Sequence, residues 1–109
     1  MDIDAQFLKG SIGLLLLNLL SRGEMYGYEI LQEASRRSAS AFEFKEGTLY
    51  PALHQLEKKG QIKSEWRTAE NGRERKYYSL TPKGRKAAAQ YEKQWHHITG
   101  AIAAILESK

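Results

Sequence analysis

The sequence predicts a mainly α-helical protein with one small β-hairpin and a long C-terminal helix. Apolar residues recur at steps of three and four over much of the chain, which is the spacing of one helix face. Asn71-Gly72 separates two segments of alternating side chains, and this dipeptide is a strong hairpin signal. Thr81-Pro82 then opens a last helical pattern, because threonine caps helices and proline suits their first position. The 109 residues suffice for one domain.

Helix one is predicted over residues 5–21. Leu8, Ile12 and Leu15 share one face, and further leucines make most of the remaining circumference apolar. A helix that is apolar on every side has to be covered on several sides. We therefore expect the rest of the chain to cover one side and a second copy of the chain to cover another.

Helix two is predicted over residues 27–37, with Ile30, Leu31 and Ala34 on its inner face. Residues 38–40 are typical of a loop. Residues 41–44 place phenylalanine at alternating positions, which favours a short strand.

Helix three is predicted to begin near Thr48, a residue suited to capping, with Pro51 in the first turn. Gly60 suits the position just past the helix end. The buried stripe and the side opposite to it follow from a rotation of about 100° per residue. The stripe consists of Leu49, Leu53 and Leu56, and the opposite side carries Pro51, His54, Gln55 and Lys58.

The hairpin is predicted over residues 62–80, with Tyr78 and Leu80 facing inward. In the last helix, apolar side chains recur at steps of four and three, which is the spacing of a short coiled-coil seam. We expect this seam to pack against helix one of a second copy. The seam consists of Tyr91, Trp95, Ile98, Ile102 and Ile105.

Charge and cysteine content limit the classes of function. Lys and Arg number 17 against 13 acidic residues, and the net charge of +4 favours an anionic partner. The segment 73–86 alone holds six basic residues and one acid. Cysteine is absent, which excludes disulfides and cysteine-based zinc sites and suits a cytoplasmic location. No membrane partner is expected, because residues 1–4 are unlike a secretory signal and the apolar run 12–20 is too short to span a bilayer.

Neither catalysis nor metal binding is predicted. The sequence contains no zinc-protease motif, phosphate-binding loop, dinucleotide fingerprint or nucleophile elbow. His96 and His97 are adjacent, and adjacent helical residues point about 100° apart, so they do not chelate a metal together. We expect no enzyme activity, no metal and no cofactor.

The element order of three helices, a hairpin and a last helix is that of a winged helix-turn-helix with a C-terminal extension. Several segments between about residues 10 and 90 resemble the PadR-type transcriptional regulators. Gln61 departs from that pattern, because such proteins usually carry an apolar residue there. The segments are Tyr26-Gly27-Tyr28-Glu29-Ile30, Gly47-Thr48-Leu49-Tyr50-Pro51-Ala52-Leu53, Leu56-Glu57-Lys58-Lys59-Gly60, Gly72-Arg73 and Lys76-Tyr77-Tyr78-Ser79-Leu80-Thr81-Pro82-Lys83-Gly84-Arg85.

The resemblance implies a dimeric, DNA-binding repressor. In that family the first and last helices build the dimer and the hairpin is the wing. Some members sense phenolic acids or flat hydrophobic drugs, and the drugs bind between the subunits. We accordingly divide the chain into a winged helix-turn-helix DNA-binding domain, residues 1–80, and a C-terminal dimerisation helix, residues 81–109.

The predicted DNA-contacting residues lie on helix two, helix three and the hairpin. Tyr50-Pro51 is hard to explain as plain solvent-facing surface, and arginine near a hairpin tip suits a narrow minor groove. Each feature also has a purely structural explanation: a solvated helix face, hairpin charges that protect an edge, or Tyr28 filling the core while Gly27 permits close helix packing. The predicted set is Tyr26, Tyr28, Thr48, Tyr50, Pro51, His54, Lys58, Arg67, Arg73, Arg75 and Lys76.

Trp95 has two explanations within the apolar seam. It either fills a dimer core or, with its symmetry mate, forms the walls of a flat cavity for an aromatic ligand. The predicted residues of this ligand or dimer interface are Leu8, Ile12, Leu15, Tyr91, Trp95, Ile98 and Ile102.

The sequence therefore predicts a sequence-specific DNA-binding transcriptional regulator. We expect a homodimeric repressor that reads a pseudo-palindromic operator in double-stranded DNA and is released by a small hydrophobic or aromatic ligand. The alternative is a winged-helix module that binds a protein without reading DNA. RNA binding ranks below both, because no base-stacking platform is visible.

Overall fold

The computed structural model describes residues 5–108, so the acidic start at residues 1–4 lies outside the described residues. These residues form four helices packed with a small antiparallel sheet, and they measure 60 × 31 × 20 Å. The mainly helical class with a hairpin is confirmed. The elements are α1 (Ala5–Leu20), β1 (Met25–Tyr26), α2 (Gly27–Arg37), α3 (Glu46–Lys58), β2 (Ile62–Thr68), β3 (Glu74–Leu80) and α4 (Pro82–Glu107).

The C-terminal half of α1 forms the centre of the core. Its leucines pack against α2, α3, the sheet and the first part of α4, so this half of the helix is covered within one chain. Leu8, Ile12 and Leu15 are only half-buried and lie at the margin of the core. The largest fully buried side chains are Leu16, Leu17, Leu20, Ile30, Leu49 and Leu53.

The sheet has the strand order β1-β3-β2, with Tyr26 opposite Tyr77 and Ser64 opposite Tyr78. The strand predicted at residues 41–44 is wrong, because these residues form bends and loop instead. The Phe42 N–H donates to the Ser38 hydroxyl at 2.9 Å, so a local side chain satisfies a backbone group that a strand would have to pair. Phe44 instead fills the core.

Helix α3 begins at Glu46, earlier than predicted, and Thr48 is not its cap. The Lys45 carbonyl accepts from the N–H groups of Thr48 and Leu49 at 2.9 Å, so backbone bonds alone start the helix. Pro51 therefore lies beyond the first turn, where its missing N–H leaves the carbonyl one turn earlier without a helical donor. Because Pro51 weakens α3 locally, helix stability does not explain its presence.

The end of α3 confirms the glycine prediction. Gly60 has φ +74°. Its N–H donates to the Glu57 backbone carbonyl and the Gln61 N–H donates to the Leu56 backbone carbonyl, both at 3.0 Å. This pair of bonds is the Schellman motif, and glycine suits it because its φ is positive. The Gln61 side chain is buried, and its Oε1 has no hydrogen-bond partner.

The hairpin is confirmed, with a longer turn than a two-residue one. The Ala69 N–H donates to the Arg73 carbonyl at 2.7 Å, and the Gly72 N–H donates to the Ala69 carbonyl at 2.9 Å. Only Gly72, with φ +81°, takes a positive φ in this turn. The loop therefore spans residues 70–72, the arrangement in which a type I turn is followed by a left-handed residue. The wing tip projects from the body on two seven-residue strands.

Helix α4 starts as predicted at Thr81-Pro82. The Thr81 hydroxyl accepts from the Gly84 N–H at 3.0 Å and donates to the Gly60 carbonyl at 2.6 Å, which ties α4 to the end of α3. A side chain at Gly84 would overlap the Gln61 carbonyl, so the two segments approach closely. The later turns expose apolar side chains, and no helix within residues 5–108 is long and apolar enough to cross a membrane.

Candidate nucleic-acid interface

Helix α3 separates two cavities on the protein surface. One lies between α3, the start of α2 and the hairpin, and the other lies between α3, α1 and α4. His54 and Lys58 line neither cavity and are exposed on the ridge between them. The sequence predicted the outer side of α3 as one face, and the structure divides it among the two cavities and the ridge between them.

The first cavity, which we call the wing cleft, has a volume of about 700 Å³. Tyr28 and Tyr50 reach it from α2 and α3, while Trp66 and Lys76 reach it from the two wing strands. Aromatic surface and positive charge therefore meet beside the first half of α3. Its lining residues are Tyr26, Gly27, Tyr28, Tyr50, Trp66, Arg73, Glu74, Arg75, Lys76 and Tyr78.

Gly27 leaves room for Tyr50 because it has no side chain. A Cβ at Gly27 would overlap the Tyr50 hydroxyl, so the tyrosine lies directly on the first turn of α2. The close helix packing expected of Gly27 is confirmed, whereas Tyr28 does not fill the core, because its side chain is 59% exposed. Tyr28 instead presents an aromatic ring to solvent at the edge of the wing cleft.

The cations of the wing cleft rest on aromatic rings. The Arg75 guanidinium lies 4.4 Å from the Tyr26 ring centroid, and the Lys76 ammonium lies 5.6 Å from that of Tyr78. Such cation–π contacts position a charge without neutralising it. Over residues 5–108, no ion pair within 4.0 Å involves Arg73, Arg75 or Lys76. These side chains are therefore available to an external anion.

Tyr78 forms the floor of the wing cleft and stays neutral. Burial raises the pKa of its hydroxyl, and the nearby Glu57 carboxylate raises that pKa further. Glu57 itself accepts a hydrogen bond from the Ser64 hydroxyl at 2.7 Å, which joins α3 to β2 below the cleft. The floor is therefore a fixed, uncharged surface under a cationic rim.

Arg67 has different surroundings from the other predicted wing cations. Its side chain lies outside the wing cleft and forms a bidentate ion pair with Glu24, in which Nη2 lies 2.8 Å from Oε2. It also reaches Glu65 at 3.1 Å. Its hydrogen bonds to Glu24 and Glu65 raise the pKa of Arg67, and its hydrogen bond to Glu24 lowers the pKa of that carboxyl. Two carboxylates thus already balance the charge of Arg67.

The second cavity, which we call the helical groove, has a volume of about 770 Å³. The structure brings Leu8, Ile12, Tyr91, Trp95 and Ile98 of one chain together here, whereas the sequence predicted that the seam would meet helix one of a second copy. Leu15 and Ile102 do not line the groove: Leu15 packs on the core, and Ile102 lies further along α4, 49% exposed. Helix α3 supplies the remaining wall, which includes Thr48, Pro51, Ala52 and Gln55.

Thr48 and Pro51 were predicted to contact DNA, and the structure places them beside Trp95 and Ile98 at the rim of the helical groove. Both remain exposed in the single chain. Sequence reasoning missed Trp66 in the wing cleft, although the alternation of side chains along the hairpin puts Trp66 on the same face as Lys76 and Tyr78 and could have found it. Nothing in the sequence indicated that Glu24 would pair with Arg67.

Comparison with known proteins identifies the family. The sequence profile of the PadR-like family of transcriptional regulators matches residues 16–90. The chain belongs to this family. A transcriptional regulator from Clostridium thermocellum has the same fold with a TM-score of 0.86 and 33% identity, over 96% of this chain and 99% of that one.

Two sequence relatives match most of the chain. Transcriptional regulator Rv3488 of Mycobacterium tuberculosis is 36% identical over 85 residues, which is 78% of this chain and 76% of the relative. A protein of Lysinibacillus sphaericus is 32% identical over 105 residues, 96% of each chain. This PadR-like protein is a DNA-binding transcriptional regulator and not an enzyme. The resemblance seen in its sequence segments is confirmed.

Proposed function

We propose that this regulator is a homodimeric repressor that binds a pseudo-palindromic operator through the wing cleft and the ridge of α3. The observation that carries the proposal is the grouping of Arg73, Arg75 and Lys76, without carboxylate partners among the described residues, beside the aromatic start of α3. Phosphate contacts from such cations supply affinity, and groove contacts from the helix supply sequence reading.

Within this proposal the roles divide along α3 and the wing. Tyr50, His54 and Lys58 meet base edges and backbone in the major groove, with Pro51 at the margin of the same surface. Tyr26 and Tyr28 donate their hydroxyls to phosphate at the start of α2, while the wing cations follow the adjacent backbone or minor groove. The exposed Thr48 hydroxyl also donates to a phosphate. Arg67 has a different role, because its charge is already balanced within the chain.

Dimerisation through α4 is the second part of the proposal. Trp95, Ile98, Ile102 and Ile105 are between 47% and 74% exposed in the single chain, on consecutive turns of one helix. A contiguous apolar surface of this kind favours an interface. A second copy that covers it with its own α1 and α4 would place two reading helices on successive major grooves, about 34–36 Å apart.

Release by a ligand is the third part. The helical groove has the size of a small-molecule site and an indole wall at Trp95. Because α3 forms another wall, a planar aromatic ligand there would change the position of α3 relative to the dimer helices. A 100-fold loss of operator affinity requires about 2.7 kcal/mol of coupling between the two sites.

Selection of bound DNA from a random pool tests the proposal. We expect a symmetric motif with half-sites about one helical turn apart. Tyr50→Ala should weaken binding to that motif by about ten-fold or more while binding to unrelated duplex changes little, because base contacts alone distinguish the two. Lys93→Ala, an exposed change on α4, is the matched control. Selected DNA without a symmetric motif, or an unchanged affinity of the Tyr50 variant, would contradict the assignment.

A further inference from the structure

Arg67 joins the three strands of the sheet on the face away from α3. It belongs to β2, yet its partner Glu24 lies just before β1, on the far side of β3 in the strand order β1-β3-β2. The guanidinium therefore crosses the sheet, and on its way it lies 4.9 Å from the Tyr77 ring centroid on β3.

The contacts continue from Arg67 to the wing cleft. Tyr77 meets Tyr26 edge to face, with ring centroids 5.5 Å apart, and the Arg75 guanidinium lies over Tyr26. Glu24, Arg67, Tyr77, Tyr26 and Arg75 thus form one connected set, which we call the outer-face stack. It runs from the turn after α1 to Arg75, which shares this face of the hairpin with Arg67, also lines the wing cleft and has no carboxylate partner among the described residues.

The charge of Glu24 is unfavourable for DNA binding by itself. A carboxylate near the wing repels phosphate and, together with Glu65, balances the positive charge of Arg67. On this side the sheet is narrow, because β1 pairs with β3 through only two residues. A bidentate guanidinium–carboxylate contact is directional and adds geometric definition where the sheet is narrow.

We propose that Glu24 and Arg67 are positioning residues, which fix the angle of the wing against the start of α2 and so hold Arg75 over Tyr26 for phosphate contact. This inference rests on the proposed function, in that it takes the wing to meet DNA. Arg67 then acts through Arg75 without itself contacting DNA, and the acid at Glu24 increases DNA affinity despite its charge.

Glu24→Gln changes operator affinity in opposite directions, depending on whether Glu24 acts through its charge or positions the wing. If only charge matters, removing a carboxylate near the wing tightens operator binding. If Glu24 positions the wing, operator binding weakens by about two- to five-fold, the scale of an exposed ion pair. Amide hydrogen exchange of the free protein should also become faster at Tyr26 and Tyr77, which pair β1 with β3.

Arg67→Lys completes the test because it keeps the net charge and removes the forked geometry. We expect a similar weakening, an unchanged salt dependence of binding, and a double variant with Glu24→Gln that is no weaker than either single variant. Arg75→Ala is the control, and it should reduce the salt slope by about 0.9 for each phosphate that is no longer neutralised. Equal melting temperatures exclude a general loss of folding.

The outcomes separate the two proposals. If Arg75→Ala weakens binding while Glu24→Gln leaves it equal or tighter, the positioning role is overturned and the proposed DNA surface stands. If the effects of Glu24→Gln and Arg67→Lys add, the two residues do not act through their contact, and the inference is again overturned. If Arg75→Ala changes nothing, the wing does not meet DNA, and the proposed function fails together with the inference built on it.

Discussion

The wing cleft and the helical groove lie on opposite sides of the same helix, and they differ in what completes them. The wing cleft is built within one chain: Gly27 seats Tyr50, Tyr78 forms the floor, and rings support the cations. The helical groove continues into the exposed apolar side chains of α4, such as Ile102, which this chain does not cover. Helix α3 therefore borders one surface that a single chain completes and one that, in the proposed dimer, a second copy completes.

The largest expected effect comes from the proposed dimer surface. Ile102→Asp places a charge in the proposed dimer seam, where it would have to be buried without a partner. We expect monomers by analytical ultracentrifugation and a loss of operator affinity of more than about 100-fold, because one half-site alone would be held. Ala104→Asp, an exposed change on the other side of α4, should leave the dimer intact. A dimeric Ile102 variant would show that the seam is not the interface.

A smaller effect is expected in the preformed wing cleft. Gly27→Ala would push the Tyr50 hydroxyl away from α2, and we expect about a ten-fold loss of operator affinity with little change in folding, since alanine favours helix more than glycine does. Electrophoretic mobility shifts measure the loss. Adding Tyr50→Phe removes the overlapping oxygen and should restore part of the affinity.

Gly100→Ala is the matched control for that change, because a Cβ at Gly100 meets nothing within 4 Å. Its operator affinity should equal that of the unaltered protein. If Gly27→Ala behaves in the same way, Tyr50 does not depend on its seat against α2, and the description of the wing cleft as preformed is wrong.

Ligand binding distinguishes the two cavities directly. Each contains one tryptophan, Trp66 in the wing cleft and Trp95 in the helical groove. A planar aromatic drug should quench the fluorescence of a Trp66→Phe variant, in which Trp95 remains, and leave that of a Trp95→Phe variant nearly unchanged. Quenching of Trp66 alone would assign the ligand to the wing cleft, which is the proposed DNA-binding side.

The smallest effect concerns a residue that lines neither cavity. Gln61 is buried with an unpaired Oε1, and an unsatisfied buried polar group costs about 1–3 kcal/mol. Gln61→Leu should therefore raise the free energy of unfolding by about 1 kcal/mol, as measured by urea denaturation. Operator affinity should not change. A lower stability would mean that the side chain gains more from its surroundings than its unpaired oxygen costs.

Local signals in the sequence predicted the helix ends that local chemistry determines. Gly60 and Thr81-Pro82 end and start helices through bonds within a few residues, so their patterns were sufficient. The start of α3 was misplaced because Lys45 caps it through its backbone carbonyl, which any residue can do. Strand β1 was missed because it has two residues and depends on a partner more than fifty positions away.

The sequence predicted which residues belong to the candidate site but not how they are arranged in space. Tyr26, Tyr50 and Arg75 were recognised, and the structure groups them in the wing cleft. The division of α3 between two cavities follows from where α4 returns along α1, which no local pattern reveals. The pairing of Glu24 with Arg67 spans 43 positions and likewise depends on tertiary structure alone.

The salt dependence of operator binding tests the central claim most directly, because that claim assigns the wing cations to phosphate. With about six phosphates neutralised per dimer, the slope of log K against log salt should be near −5. A variant with Arg73, Arg75 and Lys76 all changed to alanine should keep its dimer and lose most of that slope. A slope near zero for the unaltered protein, or an unchanged slope for the variant, would contradict the account.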